Sequence, residues 1–128
     1  MLNRSGIAKS TFAATKQILA NVGLQSSVGC IVPQSLGVTV GSKKIAKAGT
    51  PIKVDLMNIN SAAIKADGTT PLNAVLLHDV DVTAGNANGT ALIFGFVNVN
   101  RVDSDVATAI TTAAGAANRS ALITFVKL

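Results

Sequence analysis

His78 is the sole histidine of this 128-residue chain, and Cys30 is its sole cysteine. A nucleophilic mechanism of the Ser-His-Asp or Cys-His kind must therefore pass its proton through His78, with Cys30 or a serine attacking and Asp79 or Asp81 orienting the imidazole. The spacing argues against it. On a strand His78 projects opposite to Asp79, and no G-x-S-x-G elbow accompanies any serine. The reading is a solvated or subunit-interface histidine, a buried inert thiol at Cys30, and no enzyme.

Metal and phosphate chemistry fare no better. Asp79 and Asp81 stand two apart, but calcium takes about six to eight oxygens and its common loop closes on Glu, a residue this chain lacks. The series Asp79, Val80, Asp81, Val82 is the in-out patterning of a strand. "GVTVGSKK" is one residue short of a phosphate loop between its glycines. The six acids are scattered and give no carboxylate pair of the glycosidase type. No cofactor or metal is expected.

The remaining chemistry is charge. The net charge is +5, and eight of the eleven Lys and Arg precede residue 66, whereas all six acids are Asp at or after Asp55. A basic N-terminal half approaches something acidic, either nucleic acid or an acidic protein lattice. Lys43, Lys44, Lys47 and Lys53 form the densest basic cluster. Aromatic stacking residues and a helix-turn-helix signature are both missing beside it, so a partner-facing or solvated edge is favoured over phosphate gripping.

The elements that must carry these residues follow from composition and pattern. At 48% hydrophobic the chain buries enough apolar surface to fold, and its length suits one domain. No apolar run reaches the roughly 18 residues of a membrane helix, and the N-terminus lacks a signal core. The lone cysteine suits a reducing compartment, and a soluble, unexported protein is expected. The sequons at Asn3, Asn88 and Asn118 are then chance matches.

Within Met1 to Gln25, Phe12, Ile18, Leu19 and Val22 are loosely helix-spaced, with Gly23 a candidate stop. Its apolar face is thin, which suggests an arm that orders on a partner or against the domain. From Ser26 the texture is strand-like: "VGCIVP", "LGVTVGS" and "TPIKVDL", the last starting at about Ile52 because Pro51 is confined to a strand's first position or an edge. "MNINSAAIKADGTTPLN" reads as a polar surface connection with a short strand at Ala62 to Lys65.

Two long apolar runs, Ala74 to Val82 and Ala91 to Val99, are joined by "TAGNANGT" and read as a hairpin. In the second run Leu92, Phe94 and Phe96 fall on one face and Ile93, Val97 and Val99 on the other, as in a strand that is central or covered by another subunit. "SDVATAITTAAGAAN" has the N-cap and Ala content of a short helix. Ala121 to Leu128 reads as a terminal strand. The fold class expected is mostly β (α+β), a small compact β-rich domain over 37–128 with one late helix, preceded by a basic extension over 1–36.

At this point a family resemblance emerges. "AGTPIKVD", the Asp67-Gly68 turn, "NAVLLHDVDVT", "GFVN", "DVATAITTAAGAAN" and "LITFVKL" occur in an order that resembles the head decoration proteins of tailed phages, the lambda-type capsid-stabilising family. The resemblance covers Lys47 to Leu128, and its motifs are individually weak; their order carries it. Asn73 and the long extension before Lys47 depart from the family pattern. The resemblance implies a structural virion protein on the capsid exterior, made in the host cytoplasm. It would be a homotrimer, stabilising the major capsid protein lattice of the expanded shell.

The resemblance also implies edge-strand augmentation by an N-terminal segment. Its composition points to Val28, Ile31, Val32, Val38 and Val40 as pocket-filling residues, with Lys43, Lys44 and Lys47 steering towards an acidic shell. Leu92, Phe94, Phe96 and Phe125 are the candidate subunit-interface residues. The alternative function is a small basic nucleic-acid-binding protein that uses the Lys43–Lys53 edge.

Overall fold

The computed structural model describes residues 17–115 and 122–128. Among these residues nine strands and one α-helix follow in order: β1 Ser26–Val32, β2 Val38–Val40, β3 Lys43–Ala46, β4 Pro51–Lys53, β5 Ile64–Lys65, β6 Ala74–Leu76, β7 Val80–Asp81, β8 Ala87–Asn98, α1 Ser104–Ala114 and β9 Leu122–Val126. The protein is therefore mostly β with one late helix, as its patterning indicates. The starts of both terminal elements read from sequence, Phe12 and Ala121, lie outside the described residues.

The main sheet runs β9-β8-β6-β4-β5, with β1 also on β8; a smaller sheet runs β2-β3-β7. Strand β8 is the hub, twelve residues long. It pairs antiparallel with β1 and β6 and parallel with β9. Its two-sided apolarity is met in large part within the protomer, by a central position, with Phe94 left partly exposed. At the far end an isolated bridge between Ile31 and Ala62, with the Ala63 N–H donating to the Ile31 carbonyl at 2.9 Å, brings β1 back beside the segment entering β5. The sheet curls on itself around Cys30, Val32, Ile52, Val54, Leu76, Val82 and Ala91.

A second apolar cluster, Ile18, Leu19, Val75, Leu77, Leu92, Val97 and Ile123, covers the other face. Helix α1 buries Val106, Ile110 and Ala113. Each fully buried Leu or Ile contributes roughly 1.5–3 kcal/mol of transfer free energy. The close approach beneath α1 requires glycine: Gly49 has φ +93°, and a Cβ there would lie 2.5 Å from Cγ1 of Val102.

Four expectations need correction. The boundary after residue 36 has no counterpart, because β1 is an integral strand and Ile18 and Leu19 are core residues. Leu19 pairs with Val97 in an antiparallel bridge, so 18–20 run extended along β8 and are not helical. The hairpin pairs only at Val75–Leu92 and Leu76–Ala91. After Leu77 the chain departs, and β7 joins β3 in the smaller sheet.

The fourth is the face assignment on β8. Ser26 stands opposite Phe94 and Ser27 opposite Leu92, so Ile93 is an extra residue in the ladder. Such a bulge reverses the in-out phase of everything beyond it. Leu92 and Val97 consequently share one cluster, while Ile93 packs against the other.

Candidate partner-binding surface

The residues first considered for chemistry hold structure together. The Asp79 carboxylate accepts the Ala48 N–H at 2.7 Å. Asp81 accepts the Thr83 N–H at 2.9 Å, and Thr83, chiefly through its side chain, holds the Asp81 carboxyl below its ordinary value. Asp67 caps its own turn by accepting from Thr69 and Thr70, which lowers its pKa too, Thr70 most. Cys30 is 5% exposed, and burial raises its thiol pKa, the opposite of an activated nucleophile. His78 is half-buried, and its Nδ1 has no hydrogen-bond partner among the described residues. No three of His, Cys and Asp converge among the described residues.

The residues expected to meet a partner divide into two groups. Val38 and Val40 are exposed on β2, the outer strand of the smaller sheet, whose far edge carries no strand among the described residues. Lys43 is exposed on the adjoining β3, paired with Val40. Lys44 is half-buried; its N–H donates to Thr83 Oγ1 at 2.8 Å and its carbonyl accepts from Val82 at 2.9 Å. These residues make a short apolar edge beside ammonium groups.

The other group is spoken for. Val32 is fully buried in the protomer's own core, so it cannot fill a partner's pocket; Val28 and Ile31 are half-buried, Val28 against that core. Lys47 points at α1, its Nζ 3.2 Å from carboxylate oxygens of both Asp103 and Asp105. Those hydrogen bonds, Asp103 first, raise its pKa. Its charge is neutralised within the chain, which corrects the steering role expected for it.

Of the four residues expected at a subunit seam, Leu92 is fully buried and offers nothing to a second copy. Phe96 and Phe125 are half-buried, Phe125 against two of the chain's own clusters. Phe94 is 37% exposed and lies level with Leu122, itself 71% exposed.

Sequence reasoning overlooked a third surface. The connection from β4 to β5 carries Leu56, Met57 and Ile59, all exposed, with Met57 at 95%. Large apolar residues inside a polar, turn-rich segment were the available signal. No family model matches the chain, and no curated protein matches it. Among the described residues no helix is long and apolar enough to cross a membrane.

Proposed function

We propose that this chain is a structural virion protein of a tailed phage, one that binds the outside of the expanded capsid and stabilises the major capsid protein lattice. The observation that carries the reading is the edge of β2 that no strand covers among the described residues. Val38 and Val40 are exposed there beside Lys43. A strand from an acidic shell protein added to that edge would gain backbone hydrogen bonds, apolar contacts at alternate positions and charge complementarity. The ordered sequence motifs from Lys47 to Leu128 support it, and homotrimeric assembly is part of the same proposal.

The nucleic-acid alternative requires the whole Lys43–Lys53 edge to face outward. Lys47, in its middle, is held by Asp103 and Asp105, which leaves the protein lattice as the better fit.

The test is addition of the purified protein to expanded capsids that lack it, with measurement of copies bound per shell and of shell rupture on heating. Saturable binding and a higher rupture temperature are expected. Absence of saturable binding ends the reading.

A further inference from the structure

Strand β2 has three residues, and its ladder with β3 decides which of them can bond anything else. On β3 the Lys44 N–H donates to Thr83 Oγ1 at 2.8 Å and the Lys44 carbonyl accepts the Val82 N–H at 2.9 Å, so the backbone of Lys44 is turned to β7. The β2 residue opposite Lys44 is Thr39. Directly opposed residues of an antiparallel pair either exchange both bonds or both face away from each other. Val38 with Ile45 and Val40 with Lys43 are therefore the bonded pairs. The Thr39 N–H and carbonyl point out from the edge of the sheet, where no strand among the described residues meets them.

The Thr39 side chain lies on the face opposite to those of Val38 and Val40. On the Val38 face is a socket of about 40 Å³, walled by Val38 and, from α1, by Val106 and Ala109. It has room for roughly three water-sized groups. Lys47 and Asp105 border it and neutralise each other at 3.2 Å; Lys65, which also borders it, has Asp67 two residues on. An uncharged side chain of alanine or valine size suits such a space.

We propose that Thr39 is the residue that bonds the shell strand: an extended segment pairs with its N–H and carbonyl and, from the position opposite Val38, sets a small aliphatic side chain into the socket against α1. The inference rests on the capsid reading and deepens it. An extended polypeptide presents an acceptor and a donor at the spacing that the two Thr39 groups require. Two backbone bonds and one side chain bury far less than the roughly 1,200 Å² of a stable pairwise complex, so this contact does not hold two free copies together. Repeated at every copy on a lattice, it adds to the other contacts there.

Expanded shells lacking this protein are titrated with wild type, Thr39→Pro, Thr39→Ala and Ala109→Leu, each checked for folding by urea unfolding. Thr39→Pro removes the outward N–H, a change that an edge strand accepts. Should it fail to fold, Ala109→Leu, which fills the socket from a helix that favours leucine, decides. Thr39→Pro and Ala109→Leu should bind roughly 10-fold or more weakly, while Thr39→Ala, which keeps both backbone groups, should bind as wild type does. Wild-type affinity in Ala109→Leu or in folded Thr39→Pro, or weakened binding by Thr39→Ala, overturns the pairing and leaves shell binding standing. Absence of wild-type binding overturns the capsid reading and the pairing with it. Self-association in sedimentation that Thr39→Pro abolishes also overturns the pairing, by assigning the edge to a second copy.

Discussion

The ammonium of Lys47 sits 3.2 Å from a carboxylate oxygen of Asp105, and at the same distance from Asp103, joining the turn after β3 to the first turn of α1. Asp103 occupies the N-cap position but makes no side-chain cap bond to its own helix. Lys47 ties the turn after β3 to the helix start through both carboxylates, without capping the helix N–H groups.

Lys47→Met should cost up to about 1 kcal/mol at neutral pH, the range for a partly exposed ion-pair network. The folded-state pKa of Lys47 is raised. The stabilisation is thus full below the unfolded value of about 10.4 and fades as pH climbs through the higher folded value. Urea unfolding of wild type and variant at pH 7 and at successively more alkaline pH checks this: the gap between the two curves should be full at pH 7 and narrow as pH rises past about 10.4. A gap that persists in alkali would remove the ion pair as its cause.

Gly49→Ala should be among the more damaging single-methyl additions. Its φ of +93° is unfavourable for alanine, and the new Cβ would sit 2.5 Å from Val102 and 3.1 Å from Val106. Overpacking of this kind costs about 1–3 kcal/mol, and the backbone penalty adds to it. Gly29→Ala, with no atom within 4 Å of its added Cβ, is the control and should change stability by under about 0.5 kcal/mol. Equal midpoints for the two variants would contradict the geometry.

Leu92 and Phe94 separate the fold from any assembly. Leu92→Ala should lose about 2–5 kcal/mol in unfolding, as a fully buried leucine does. Phe94→Ser should leave most of the protomer's stability in place. If Phe94 belongs to a subunit seam, dissociation in sedimentation experiments shifts to higher protein concentration for Phe94→Ser. An unchanged mass distribution across concentration would take Phe94 off that seam.

Cys30 should resist modification. Its thiol is 5% exposed and its pKa is raised by burial, so little thiolate is present at pH 8. Reaction with an aromatic disulfide reagent should proceed only as fast as the protein opens, and it should accelerate sharply in urea. Rapid labelling of the native protein would place the thiol elsewhere.

Much of the architecture was legible because strands and helix carry their periods openly. Pro51 opens β4 as its missing N–H demands, and the Ala-rich segment forms α1. The start of β8 was hidden: "TAGNANGT" has the composition of a turn, yet Ala87–Thr90 are already in the strand. Gly89 is there because a Cβ would meet Val32 at 2.6 Å and Val80 at 3.1 Å, a packing demand no local pattern announces. The bulge at Ile93 was equally hidden, since it depends on where β1 pairs.

For the surface, composition alone pointed to Val38, Val40 and Lys43, and all three side chains are exposed. Val32, Leu92 and Lys47 were misassigned because tertiary partners claim them. A sequence shows which side chains are apolar or charged; it does not show which of them the rest of the chain has already engaged.

Leu19 and Ile123, near the two ends of the described chain, are both fastened to the same stretch of β8, opposite Val97 and Gly95. The seam is closed further by Asn98, whose side chain accepts from Leu128 at 3.3 Å. A tensile load applied between these ends is carried across a few backbone ladders on one strand. The smaller sheet that bears Val38 and Val40, and the loop that bears Met57, lie outside that span. The strand that ties the two ends and these exposed edges are mechanically separate, so a pull between the ends need not deform them.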